Sequence, residues 1–380
     1  MYGFSEEVAL SNDLEVIRDQ VRRYLDDTVK PERLKDLLDQ PGAFDGELWA
    51  AAVGQGWPAV SVPEELGGLG LGWPGVCVLM EELGRASVSL PLTGTAVTLH
   101  ALRPTGGPEV VEGLSAALIA GERSVCIAFG EGGDAGIAAP PAVHYADGRL
   151  HGRKAMAAFA AVADYALVNA RWAAGFGLFL VPLDQNGVHR RIMPALDNGR
   201  AAAALEFADA GACPLGDSGM GEEAVRKIHA LAALITSFEQ IGGAQRSMEM
   251  ARDYALERVA FGQPIGRFQA IKHKLADMYW RIEVARGCAL DALAAVECGA
   301  ADWMALAAAA RLGATEAYEF AARENIQTHG GIGMTWEAMP QHYYRRSRAL
   351  ALEMGSPVHW RDRLIEDAGF CVPTNTGGMA

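Results

Sequence analysis

The chain has 380 residues and a formal net charge of −14, with 47 acidic and 33 basic side chains. This length exceeds what a single hydrophobic core usually organises, so we expect two or three domains. The acidic charge argues against nucleic acid and anionic membranes as partners, since both bind basic surfaces. The chain contains no uncharged apolar run of about eighteen residues, so we also expect no membrane-spanning helix.

The six cysteines are scattered and form no Cys-x-x-Cys pair, which gives little support to a zinc site or a dithiol redox site. Residues 1–7 lack the basic and apolar regions of a secretory signal. We therefore expect a cytoplasmic protein with free thiols.

The first third of the sequence is predicted to be helical. Helical periodicity covers residues 5–30, 44–53, 76–85, 92–102 and 108–120. Glu81 and Glu82 lie in the third of these stretches. We interpret them as solvated or helix N-terminal charges rather than as catalytic groups.

The composition changes near Ser124, where short apolar runs begin to alternate with turn signals. The runs cover residues 125–129, 142–145, 166–169, 178–181 and 203–207. Asp147-Gly148 and Asn186-Gly187 lie between such runs and are hairpin signals. This pattern indicates a small antiparallel β domain.

Helical periodicity returns after Gly221 and continues to about residue 368. The predicted fold class is α+β, mostly α, in three domains. We expect an N-terminal helical domain at residues 1–122, a middle antiparallel β domain at 123–216 and a C-terminal helical bundle at 217–380.

Two motifs in the C-terminal region carry the strongest chemical signal. They are Arg258-x-x-Phe261-Gly-x-x-Ile265-x-x-Phe268-Gln269 and, about sixty residues later, Gln327-x-x-Gly330-Gly331-x-Gly333. Glycines lack the Cβ atom that would keep a phosphate away from backbone N–H groups, and an arginine supplies a forked, positive donor. The two phenylalanines would supply apolar walls. The pattern predicts a site for a phosphate-bearing ligand.

These motifs resemble those of the acyl-CoA dehydrogenase family, flavoproteins that desaturate acyl-CoA thioesters. Further segments match the family in the same order: Leu48-Trp49, Gly56-Trp57, residues 62–70, residues 81–85 and Gly152-Arg-Lys154. The resemblance implies FAD as cofactor and an acyl-CoA substrate. It also implies which residues hold the ADP half of an FAD that belongs to a neighbouring subunit: Arg258, Phe261, Ile265, Phe268, Gln269, Gln327, Gly330 and Gly331.

The sequence departs from the family at the catalytic base. As the resemblance implies, a carboxylate removes the proton α to the thioester carbonyl while the β hydrogen leaves as hydride to the flavin. The family's Glu-Gly pair is replaced here by Met354-Gly355, and Glu353 lies one position earlier. One position is about 100° of helical rotation, so Glu353 fits only if the helix has ended or bulged. The family's second position for the base falls near Ala232, in a stretch without a carboxylate.

The predicted β domain also lacks the hydroxyl groups with which the family binds the flavin ring. Residues 128–134 replace its Thr-Glu-Pro and Gly-Ser-Asp segments, and Ala158 stands where a Ser or Thr belongs. Each lost hydrogen bond weakens binding by about 1 kcal/mol. The chain thus keeps the residues that would bind the ADP half of a neighbour's FAD. It lacks the hydroxyl groups that would bind the flavin ring of its own FAD.

We therefore expect one subunit of a hetero-oligomeric α2β2 acyl-CoA dehydrogenase, whose paralogous partner carries the flavin ring, the base and the acyl pocket. Family pairs of this kind shorten steroid side chains, which makes a steroid or other lipid side chain one candidate acyl group. Two alternatives remain: a self-sufficient homotetramer with Glu353 as base, and a non-catalytic scaffold or CoA-ester binding protein. No motif defines the acyl group or the electron acceptor.

Overall fold

A computed structural model describes residues 12–102, 109–132, 137, 140–172, 175–215 and 221–369. The chain begins with helices α1 (Asn12–Thr28), α2 (Pro31–Asp39), α3 (Gly46–Gly54), α4 (Gly72–Ala86), α5 (Leu92–Leu102) and α6 (Glu109–Ile119). Residues 5–11 of the first predicted helix lie outside the described part. The sequence prediction missed α2, which buries only Leu34 and Leu38, because two turns are too short for a clear periodic signal.

A sheet follows these helices. Its strands are β1 (Val125–Ala128), β2 (His144–Ala146), β3 (Arg149–Ala157), β4 (Tyr165–Trp172), β5 (Gly175–Pro182), β6 (Val188–Ile192), β7 (Ala203–Gly211) and β8 (Cys213–Pro214). The order is β6-β7-β3-β2-β4-β5-β8, with β1 beside β4. Most pairs are antiparallel, as predicted, but β1 and β2 each pair with β4 in parallel, so the sheet is mixed.

The two hairpin signals had different outcomes. The turn at Asp147-Gly148 joins β2 to β3, and these strands pair with each other. The hairpin predicted at Asn186-Gly187 is wrong: it leads from β5 to β6, but β5 pairs with β4 and β8 whereas β6 pairs with β7. A turn signal predicts a local reversal of the chain, while the remaining strands decide which neighbour each strand receives.

The C-terminal part is helical. It comprises α7 (Gly221–Glu257), the hairpin strands β9 (Val259–Ala260) and β10 (Gln263–Pro264), then α8 (Gln269–Cys298), α9 (Trp303–His329), α10 (Pro340–Leu350) and α11 (Pro357–Asp367). Residues 228–244 of α7 are all buried. A helix that is apolar on every side lies in the interior of a fold, and α7 packs against α4, α8 and α9. No helix of the described ranges is long and apolar enough to span a membrane.

Glu81 and Glu82 on α4 are buried, which corrects their interpretation as solvated charges. Glu82 accepts hydrogen bonds from Arg22 at 2.7 and 2.8 Å. Glu81 pairs with Arg18 at 3.4 Å and with Arg286 at 2.5 Å. These ion pairs attach α1 and α8 to the same turn of α4, so both carboxylates have a structural role.

Helices α4 and α7 approach each other at two glycines. A Cβ atom on Gly84 would lie 1.9 Å from the backbone oxygen of Glu239, and one on Gly242 would lie 1.9 Å from that of Glu81. Backbone atoms cannot move aside as a flexible side chain can. Small residues at these positions therefore set the distance between the two helices.

We expect Gly242→Ala to lower the free energy of unfolding by about 1–3 kcal/mol, because the new methyl group overpacks the α4–α7 contact. Gly287→Ala on α8 is the matched control, since its Cβ would meet nothing within 4 Å. That variant should be neutral or stabilising by about 1 kcal/mol. Denaturant unfolding of both variants measures the difference, and equal stabilities would contradict the close contact.

Candidate active-site cavity and cofactor surface

A cavity of about 270 Å³ lies where the sheet meets the C-terminal helices. Most of its walls are apolar, and the side chains that form them include Ile127, Phe129, Met156, Ala158 and Leu352. Four of its lining residues are polar or charged: Asp197, Arg200, His229 and Glu353. Such a pocket, apolar with a few convergent polar groups, is typical of a ligand site.

Glu353 lines this cavity because α10 has already ended. The helix stops at Leu350, and Met354 adopts a positive φ of 58° in the turn that follows. The buried Arg311 holds the turn by donating hydrogen bonds to the backbone oxygens of Leu350 and, at 2.6 Å, of Glu353. Glu353 and Met354 therefore both face the cavity, which satisfies the geometric condition for Glu353 as a base.

The carboxylate of Glu353 is held by Arg200. Nη2 of Arg200 donates to Oε1 of Glu353 at 2.6 Å, and Nε lies 2.6 Å from Oε2. Nη1 donates to Glu239 at 2.7 Å and to Ser89 at 2.9 Å. Burial lowers the pKa of Arg200, but the carboxylates of Glu239 and Glu353 raise it above its ordinary value, so the guanidinium stays charged. Both oxygens of Glu353 thus face a permanent cation.

A second buried arginine extends this network. Arg346 on α10 pairs with Asp197, lies 3.4 Å from Glu239 and donates to the backbone oxygen of Val88 at 3.1 Å. Burial raises the pKa of Glu239, and the two arginines oppose that rise. The network joins the α4–α5 connection, the β6–β7 connection, α7 and α10. Arg346 is itself buried, although it lies on a helix with other charged side chains.

Sequence reasoning missed Arg200 and Glu239. Glu239 is the single acidic residue of the stretch 228–244, and a carboxylate in such an apolar helix signals a buried ion pair. Arg200 follows the turn at Asp197-Asn-Gly199 and gave no comparable signal. Its partner Glu353 is 153 positions away, so no local pattern connects the two.

The wall formed by β3 offers methyl groups where a flavin ring would need polar partners. Residues 155–158 are Ala, Met, Ala and Ala, and none of the described residues that line the cavity carries a hydroxyl group. Lys154 precedes them and donates to Glu131 at 2.5 Å and to Asn169 at 2.8 Å. Burial lowers the pKa of Lys154 to about 8 although Glu131 opposes the shift. This wall does not fit the polar edge of a flavin ring.

The residues expected at the ADP half of FAD lie together at one end of the C-terminal helices. The ring of Tyr254 stacks on that of His329 with centroids 4.2 Å apart, which joins the end of α7 to the end of α9. Arg258 is therefore close to the Gly330-Gly331 turn, although the two are far apart in sequence. The side chain of Arg258 is exposed and makes no ion pair within the described ranges.

The hairpin of β9 and β10 presents Phe261 almost entirely to solvent. Its side chain is 95% exposed and meets Phe268 edge to face, with centroids 6.1 Å apart. Ile265 is half-buried, while Gln269 and Gln327 are exposed. The expected residues thus form an accessible surface on which Arg258 has no ion-pair partner among the described residues, which fits an anionic ligand.

The glycine turn differs from its expected geometry in one respect. Gly330 lies at the C-terminal end of α9, and its N–H bonds back to Gln327, so it is not free for a phosphate. Its φ of 65° and ψ of −144° are accessible to glycine alone. The helix N-terminus at this end belongs to α8, which begins at Gln269 without a side-chain cap. The helix end that could receive an anion here is therefore that of α8 and not that of α9.

We expect Arg200→Met to lower the free energy of unfolding by about 3–5 kcal/mol, because it leaves buried carboxylates without this cation. Arg348→Met is the control: Arg348 pairs with Glu319, and their side chains are 48% and 29% exposed. The free energy of unfolding of this control should fall by less than about 1 kcal/mol. Thermal or denaturant unfolding gives both values, and a loss for Arg200→Met no larger than the control would contradict the network.

Comparison with known proteins identifies the family. Models of the acyl-CoA dehydrogenase N-terminal and C-terminal domains match residues 11–122 and 219–361. The chain is 30% identical to the acyl-CoA dehydrogenase IpdE2 of Mycolicibacterium smegmatis, over 93% of this chain and 98% of that protein.

Two solved structures have the same fold over nearly the whole chain. A variant of the Tcur3481-Tcur3483 steroid ACAD is 29% identical with a TM-score of 0.87, over 94% of this chain and 98% of that one. The ChsE4-ChsE5 complex from Mycobacterium tuberculosis is 25% identical with a TM-score of 0.86, over 95% and 98%. The predicted fold class is confirmed, and the chain belongs to the acyl-CoA dehydrogenase family, oxidoreductases that act on the CH–CH group of acyl-CoA and generally bind FAD.

Proposed function

We propose that this chain is one subunit of a hetero-oligomeric, FAD-dependent acyl-CoA dehydrogenase and lends the ADP-binding half of the FAD site to a paralogous catalytic partner. The observation that carries the proposal is the ion pair between Glu353 and Arg200. It engages both oxygens of the carboxylate expected to act as base. When bound, FAD supplies the hydride acceptor; the residues of this chain bind and orient it from the neighbouring side.

The exposed surface around Arg258 and Phe261 supports these separate roles for the two subunits. Arg258 offers an unpaired guanidinium for a diphosphate, a group that arginine binds through two parallel hydrogen bonds. The exposed ring of Phe261 offers an apolar wall beside it. In contrast, the chain's own cavity presents methyl groups from residues 155–158 to the place of a flavin ring. The chain is equipped to hold another subunit's cofactor rather than its own.

Exposed apolar side chains on α8 support a partner chain. Tyr279, Trp280 and Val284 are 55%, 48% and 54% exposed, and Trp280 and Val284 lie four residues apart on the same helical face. Clusters of large exposed apolar groups mark protein–protein contacts in soluble proteins. We assign this face to the paralogous subunit, because half of each FAD site must come from a second chain.

The similar proteins support the partner and suggest the substrate class. One solved relative is described as a complex of two proteins, and the other as a steroid ACAD named after two proteins. On this basis we propose that the partner is a second acyl-CoA dehydrogenase chain in an α2β2 tetramer. We further propose that the acyl group is a steroid or related lipid side chain.

One observation favours the alternative of a self-sufficient homotetramer: Glu353 does line the cavity once α10 has ended. In that enzyme Glu353 would have to accept the α proton while its carboxylate also faces Arg200. The two functions differ in where the flavin binds and in whether Glu353 is needed for turnover.

The flavin content of the purified protein tests the proposal. We expect the chain to be colourless when produced alone and to form a yellow complex when co-expressed with a paralogue that retains Thr-Glu-Pro and Glu-Gly segments. That complex should contain about one FAD per pair of chains. Visible spectra and native mass measure this, and one FAD per chain in the protein produced alone would refute the proposal.

In the same complex, Arg258→Met should weaken FAD binding about tenfold or more, because a charge-assisted hydrogen bond to the diphosphate is lost. Arg361→Met, which removes an exposed arginine from α11, is the control and should leave FAD affinity unchanged. Equal affinities of the two variants would show that Arg258 does not hold the cofactor.

Replacing the candidate base separates the two enzymes. We expect Glu353→Gln to leave the turnover of the assembled complex within about twofold of the original, because the partner supplies the base. A loss of about a hundredfold or more, as general-base removal produces, would favour the homotetramer with Glu353 as base. Acyl-CoA oxidation per folded complex, assayed with an artificial electron acceptor, is the measurement.

A further inference from the structure

His229 on α7 is a buried imidazole with no role in the proposed function. It is 3% exposed and lines both the candidate active-site cavity and a smaller one next to α11. Its ring stacks on Trp360 with centroids 4.9 Å apart and lies 6.0 Å from Phe129. These aromatic contacts fix the orientation of the ring.

One nitrogen of this imidazole lacks a partner. Nε2 has no hydrogen-bond partner among the described residues. The backbone oxygen of Met354, which accepts from Nε1 of Trp360 at 3.0 Å, is the acceptor that interacts with the ring. A neutral imidazole has one donating and one accepting nitrogen, so we assign the proton to Nδ1 and the free lone pair to Nε2. A buried polar atom without a partner is costly, which makes a ligand donor the natural complement.

The imidazole is neutral near pH 7. Burial lowers the pKa of His229 well below its ordinary value, and the positive charges of Arg311 and Arg363 and the neighbouring ring of His359 lower it further. The backbone oxygen of Met354 opposes this shift only in part. Nε2 therefore acts as a hydrogen-bond acceptor rather than as a cation.

The rest of the cavity selects an uncharged occupant. Arg200 and Glu353 face each other, so their opposite charges cancel locally. The walls around them are apolar and include Phe129, Met156 and Leu352. A charged ligand would lose its hydration without gaining a free counter-ion, whereas an apolar group would release water from the walls.

We propose that this cavity binds an uncharged, apolar ring or chain that donates one hydrogen bond, from a hydroxyl group, to Nε2 of His229. The inference rests on the proposed function, because the space is free only if no flavin ring of this chain occupies it. The ligand class is thus a hydroxylated alicyclic or alkyl group. A single water is a poorer occupant, since a buried water needs two to four polar partners.

A matched pair of probes, decahydro-2-naphthol and decalin, tests the inference on the assembled complex. Ligand-observed NMR titration should show saturable binding of both, with the alcohol bound about tenfold more tightly than the hydrocarbon. His229→Phe keeps an aromatic ring against Trp360 but removes the hydrogen-bond acceptor. The alcohol and the hydrocarbon should therefore bind this variant with about equal affinity. His359→Phe alters the same aromatic cluster outside the cavity lining and should retain the preference.

Three results would overturn the site: no saturable binding of either probe, equal affinities in the unchanged complex, or a preserved preference in His229→Phe. If His229→Phe does not fold, Ala158→Leu replaces it. That variant narrows the cavity beside β3 and must lower the affinity of both probes by a similar factor. Unchanged affinities would refute the cavity as the place of binding.

The flavin content measured on the same samples keeps the two proposals apart. One FAD per chain would refute the proposed function and, with it, the free cavity on which the site depends. The expected FAD content without probe binding would refute the site alone.

Discussion

The arrangement of this molecule depends on a cluster of buried charges in which Arg200 is central. Arg200 lies in the β6–β7 connection. Its guanidinium donates hydrogen bonds to Glu239 on α7, to Glu353 after α10 and to Ser89 before α5. Charges taken out of water are tolerated only when their partners are in place. The sheet, the N-terminal helices and the C-terminal helices must therefore meet in one geometry for any of these groups to be satisfied.

The same cluster is the basis of the proposed division of roles between two subunits. A base must have a free lone pair near the proton that it removes, but the oxygens of Glu353 face Arg200. The ion pair joins the β6–β7 connection to the turn after α10 and brings a cation to both oxygens of the carboxylate. A cavity remains beside it, with apolar walls and the imidazole of His229.

The surface near Arg258 differs from this buried cluster because its charged side chain is exposed. Among the described residues Arg258 has no ion-pair partner, and Phe261 beside it is almost fully exposed, so both side chains are accessible to another molecule. Binding residues on a surface can serve a neighbouring chain, whereas catalytic residues serve only the cavity that they line. A hetero-oligomer can consequently divide these tasks between paralogues.

The sequence alone determined the family, the order of helical and strand regions and the two C-terminal motifs, because periodicity and motif spacing are local properties. It also showed the lost hydroxyl groups and the displacement of Glu353 by one position. Only the tertiary structure decided that Glu353 faces the cavity and pairs with Arg200, 153 positions away, and that Glu81 and Glu82 are buried. Burial and ion pairing depend on segments that are distant in sequence, so no local pattern encodes them.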